Sequence, residues 1–86
     1  MQPLGTYLVA SQYPPLRRKT HLWAILTRRS GAKLGQVGWF SRWRQYCFYA
    51  ERGTIFNSAC LQEISTFLVN QNREHRDKKR SVSDGP

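Results

Sequence analysis

Between Gly38 and Gly53 the chain reads GWFSRWRQYCFYAERG. Six aromatic side chains fall within this stretch: Trp39, Phe40, Trp43, Tyr46, Phe48 and Tyr49. Arg42 and Arg44 stand on either side of Trp43. These residue types carry one recognisable chemistry. A flat π-face stacks on a nucleic-acid base for roughly 1–3 kcal/mol. A guanidinium pairs with phosphate through two parallel hydrogen bonds, and gains further from a neighbouring indole face. The same residues in a hairpin would also build the core of a small domain, so the question is which of them are covered.

Other chemistries fit poorly. The acids are Glu51, Glu63, Glu74, Asp77 and Asp84. Three of them lie in the helix end or the tail, no Ser/His/Asp grouping is visible, and no glycine-rich phosphate loop is present. The sequence therefore predicts no enzyme, no catalytic residue and no cofactor. Two cysteines, Cys47 and Cys60, and two histidines, His21 and His75, are far apart in the chain and do not match zinc-ligand spacing, so no metal site is expected. In apolar surroundings both cysteines read as small buried hydrophobes, with no structural disulfide expected.

The 86 residues suffice for one domain, and a net charge of +9 favours a polyanionic or acidic partner. The positive charge is unevenly spread. Residues 1–20 carry Arg17, Arg18 and Lys19 and no acid. Residues 21–57 carry Arg28, Arg29, Lys33, Arg42, Arg44 and Arg52 against Glu51 alone. Residues 58–86 are nearly balanced, with five basic and four acidic side chains. A recognition helix in a major groove would show the reverse distribution. Charge on arm, strands and loops points instead to a sheet or ribbon that binds nucleic acid. No apolar run is long enough to span a membrane, and the N-terminus lacks the pattern of a signal peptide, so a cytoplasmic protein is expected.

Three strands and one helix must position these groups. His21–Thr27, Lys33–Phe40 and Gln45–Ala50 are rich in large apolar residues and separated by turn signals around Ser30-Gly31 and Ser41–Arg44. From Asn57, a good N-cap, the period changes to that of a helix. Cys60, Leu61, Ile64, Phe67 and Leu68 form its apolar stripe, with Phe56 and Leu61 spaced as a hydrophobic staple. The predicted fold class is α+β: a three-stranded antiparallel meander with one C-terminal helix on one face, β-β-β-α. Residues 1–20 are expected as a flexible basic arm, in which Tyr7-Leu8-Val9 could add an edge strand. Residues 21–75 form the domain, and residues 76–86 are expected as a disordered tail. One helix covers one sheet face, so the other is expected to stay partly aromatic and to meet a partner or a second subunit.

The stretch from Leu34 to Leu68 resembles a family of small uncharacterised bacteriophage and prophage proteins. The matching residues are Leu34-Gly35, Val37, Trp39-Phe40, Trp43-Arg44-Gln45-Tyr46, Phe48, Thr54, Phe56-Asn57, Cys60-Leu61 and Ile64. Ala50 stands where such proteins usually have a proline. The resemblance implies a phage setting in a bacterial host cell, and no reaction. A weaker, architectural resemblance is to three-stranded DNA-binding domains that read the major groove with Arg and Trp on the sheet.

The first functional expectation is nucleic-acid binding, to DNA or RNA. Arg28, Arg29, Lys33, Arg42 and Arg44 would contact phosphates or bases. Trp43 with Trp39 or Tyr46 would stack, and Arg17, Arg18 and Lys19 would add phosphate contacts. The alternative is a phage-encoded inhibitor of a host or anti-phage defence protein, CRISPR-type nucleases included, using the same side chains as protein hot spots. A homodimer through the aromatic face is the third expectation; a membrane is not an expected partner.

Overall fold

The computed structural model describes residues 1–14 and 20–83. Five strands form one antiparallel meander in chain order: β1 (Gln2–Pro3), β2 (Leu8–Gln12), β3 (Trp23–Thr27), β4 (Lys33–Phe40) and β5 (Gln45–Ala50). One helix, α1 (Ser58–Ser83), follows. The fold is α+β as expected, but the sheet has five strands and not three.

Both additional strands come from the segment expected as an arm. Leu8 to Gln12 pair in register with Thr27 to Trp23, and Gln2 and Pro3 pair with Ala10 and Val9. The physical reason lies in alternation. Leu8 and Ala10 are buried, whereas Val9 and Ser11 between them point to the other face. The prolines do not oppose this. Pro14 comes after β2 has ended, and Pro3 lies on the outermost strand, where a missing N–H interrupts no ladder.

β4 and β5 occupy the predicted residues, and β3 begins two residues later than predicted, at Trp23. A bulge between Ile25 and Leu26 shifts the register against β4. Gly35 is required where it stands: a Cβ there would overlap the Tyr49 carbonyl oxygen and approach Phe48 Cζ to 2.7 Å.

α1 begins as predicted. Asn57 Oδ1 accepts from the Cys60 N–H at 2.9 Å, which caps the first turn. Phe56 packs edge-on against Phe48 at 5.5 Å, and Leu61 stays exposed, so the staple partner of Phe56 is on the sheet. The helix continues through residues 76–83, into the segment expected as a disordered tail.

The core lies between α1 and one sheet face. Leu8, Ala10, Trp23, Ile25, Val37 and Tyr46 meet Ile64 and Phe67 there. Trp23 is central, with edge-to-face contacts to Tyr46 (5.4 Å) and Phe67 (5.2 Å). A second tie fixes the helix to β2: the Glu63 carboxylate accepts from the N–H groups of Tyr7 and Leu8, at 3.0 Å for Leu8. Gly5 permits this approach, since a Cβ there would lie 2.6 Å from Glu63 Cδ.

Candidate nucleic-acid interface

In an antiparallel meander, consecutive connections emerge at opposite ends of the sheet. The β3–β4 turn therefore holds Arg28 and Arg29 at one end, and the β4–β5 loop holds Arg42, Trp43 and Arg44 at the other. The eight residues of β4 separate the two ends by roughly 25 Å. Physiological salt screens over about 8 Å, so the two groups do not act as a single field.

The turn end is partly occupied by its own contacts. Arg28 Nη1 donates to the Gly5 carbonyl at 3.0 Å. Lys33 Nζ lies 4.0 Å from Glu51 Oε1 and 5.9 Å from the centre of the Tyr13 ring. A hollow at this end, lined by Leu4, Tyr7, Gln62 and Glu63 among others, contains a carboxylate and no cation.

The other end differs. α1 passes over it and brings His75 and Arg76 alongside the β4–β5 loop, while Glu74 and Lys78 line a separate hollow. A groove of ≈ 200 Å³ runs between loop and helix, lined by Trp39, Trp43, Arg44, Asn72, His75 and Arg76. Among the described residues no carboxylate lines it. Local geometry explains how the loop presents Trp43. Trp43 N–H donates to the Phe40 carbonyl (3.1 Å) and Arg44 N–H to that of Ser41 (3.2 Å), and Arg44 takes a φ of 53°. That left-handed conformation is costly for a side chain with a Cβ. It closes a four-residue loop with the indole outside. Trp43 is 64% exposed and touches Phe40 edge-on at 5.0 Å.

The remaining expected site residues are placed as follows. Tyr46 is core, at 3% exposure: its hydroxyl accepts from the His21 N–H (3.1 Å), and its own N–H donates to Asn72 Oδ1. Trp39 is half-buried, with its ring 4.3 Å from that of His75 and 5.3 Å from that of Tyr46. Arg29 and Lys33 belong to the far end. Arg17, Arg18 and Lys19 lie outside the described residues. His75 and Arg76 were missed by sequence reasoning. Their signal was the Asn72–His75–Arg76 spacing, which puts all three on one side of a helix.

Among the described residues no element covers the face of the sheet away from α1. Val9, Leu22, Leu26 and Phe40 are half-buried on it, Tyr49 is 41% exposed, and Leu22 Cδ1 and Tyr49 Cε2 flank Gly38. Among the described residues no helix is long and apolar enough to cross a membrane, and no three potential metal ligands stand together. Cys47 and Cys60 are free thiols. No protein-family model, curated protein or solved structure matches this chain.

Proposed function

We propose that this protein binds single-stranded nucleic acid across the sheet end over which α1 passes. The observation that carries this is Trp43, exposed between two arginines beside a groove lined by Arg44, His75 and Arg76 and, among the described residues, by no acid. The strand backbone lies along Arg42, Arg44 and Arg76, and a base stacks on the Trp43 indole. A single strand is favoured over a duplex because stacking needs an unpaired base face. The resemblance of residues 34–68 to small phage proteins suits this role in a phage-infected bacterial cell.

The test is a fluorescence titration with single- and double-stranded DNA and RNA. With about three or four phosphates contacted, the log–log salt slope is about −2 to −3, so affinity falls roughly 20- to 50-fold between about 50 and 200 mM salt. Undetectable binding at about 50 mM salt overturns the proposal.

The strained loop supplies a second check. Arg44→Gly removes a cation and relieves the positive φ. The melting temperature is expected to stay level or rise by a few degrees, corresponding to up to about 1 kcal/mol, while affinity for the oligonucleotide falls. Calorimetry and the same titration read the two effects separately.

The uncovered apolar face supports a second reading, a protein partner seated on Leu22, Leu26, Phe40 and Tyr49. Its mark is a complex that survives nuclease digestion.

A further inference from the structure

On the other side of α1 from the cationic groove lies a second hollow, of ≈ 250 Å³. Gln12, His21, Trp23, Gln71, Glu74 and Lys78 are among its lining residues, and His75 borders both hollows. Its volume is below the roughly 300–1,000 Å³ of sites for drug-sized ligands, which suits a single ring system. Its chemistry is unusual for a surface hollow. The walls are aromatic, with His21 and Trp23 tilted against each other at 5.6 Å and Trp23 held against Tyr46. Three of its polar side chains are amides, Gln2, Gln12 and Gln71, beside Glu74 and Lys78. Gln12 Nε2 donates to His21 Nδ1 at 2.8 Å, which leaves Gln12 Oε1 free to accept.

Gln71 is the decisive residue. It is 8% exposed, the only polar residue among the buried ones described. Its side chain lines the hollow. No buried side-chain nitrogen or oxygen is left without a partner among the described residues, so the Gln71 amide is not orphaned; it opens on the hollow, where a ligand can replace water on it.

We infer that this hollow receives one nucleobase carrying an exocyclic amino group, extruded from the strand bound next to it. The inference rests on the proposed strand binding. A side-chain amide offers a donor and an acceptor in one plane, which matches the edge of such a base. Glu74 and Gln12 Oε1 accept from the amino group, whereas the carbonyl-rich edge of thymine or uracil faces them with like charge. Trp23 and His21 supply the apolar walls, and Lys78 stands at the rim for the flanking phosphate.

The experiment compares oligo(dA), oligo(dC) and oligo(dT) of equal length, bound to wild type and to Gln71→Leu, at two salt concentrations. The wild type is expected to bind oligo(dA) or oligo(dC) at least roughly five-fold more tightly than oligo(dT). Gln71→Leu is expected to lose that preference and keep the salt slope. In parallel, dAMP or dCMP, but not dTMP, shifts the Gln71 side-chain amide resonances of the wild-type protein, a readout that does not depend on how the variant folds. Equal affinity of the wild type for all three oligonucleotides, a preference that persists in folded Gln71→Leu, or an unmoved Gln71 resonance overturns the inference. Oligonucleotide binding with a normal salt slope and no base preference removes the base site alone. A Gln71 shift with dAMP or dCMP but no oligonucleotide binding removes the strand and keeps the hollow.

Discussion

Trp43→Ala is expected to weaken oligonucleotide binding by about five-fold or more, with the salt slope unchanged. One stacked base contributes roughly 1–3 kcal/mol, equivalent to about a five- to 150-fold change in affinity. The substitution removes no charge, so the number of counterions released is the same. Stability should hardly move. The indole is 64% exposed, and its described ring contact is one edge to Phe40. That contact accounts for about 1 kcal/mol at most. Affinity from titration and the unfolding midpoint from circular dichroism separate the two effects. Wild-type affinity in the folded variant would remove Trp43 from the interface.

The opposite profile is expected for Trp23→Ala. Trp23 is 4% exposed, lies in register with Gln12 on one side and Val37 on the other, and meets Phe67 of α1 edge-on. Its removal leaves a cavity at the point where three strands and the helix meet. Large aromatic-to-alanine changes in a core cost about 3–5 kcal/mol. A chain of 86 residues has ~4–13 kcal/mol in total, by the usual 0.05–0.15 kcal/mol per residue. Trp23→Ala should therefore lose about a quarter or more of the total stability, and urea denaturation would show the midpoint falling in proportion. A loss under about 1 kcal/mol would mean that the sheet and helix do not pack through Trp23.

These two tryptophans show what was legible in the sequence. Trp43 sits in a turn signal between two arginines, where burial is improbable on composition alone, and it is exposed. β4 and β5 were readable to the residue, because turn residues bound both and their apolar content is high. The N-terminal strands were harder to see. β1 has two residues, and the alternation of β2 is carried by Leu8 and Ala10 only, beside a proline pair and a basic cluster that both suggest an arm. With those strands overlooked, the sheet is read as three strands wide where it has five, while the meander order holds.

The site was half legible. Tyr46 belongs to the same aromatic run as Trp43, but the parity of β5 turns it under the helix, and strand parity does not say which face the helix takes. Arg28 and Arg42 look adjacent as positive charges in a composition count, yet meander topology sends them to opposite ends. The near balance of charge in residues 58–86 was misleading for a related reason. α1 has 26 residues and spans about 39 Å. Glu63, at its start, is held by the N–H groups of Tyr7 and Leu8, far from Arg73, Arg76 and Lys78. A segmental sum merges charges that the helix keeps apart.

The central claim, that the strand binds at one end of the sheet, has a direct test. The salt dependence of oligonucleotide affinity is measured for wild type, for Arg42→Gln with Arg44→Gln, and for Arg28→Gln with Arg29→Gln. Each phosphate contact on a single strand contributes about 0.7 to the log–log slope. The Arg42/Arg44 pair is expected to lower the slope by about 1.4 and the Arg28/Arg29 pair to leave it unchanged. Equal losses from both pairs, or a loss from Arg28/Arg29 alone, would contradict the placement of the strand.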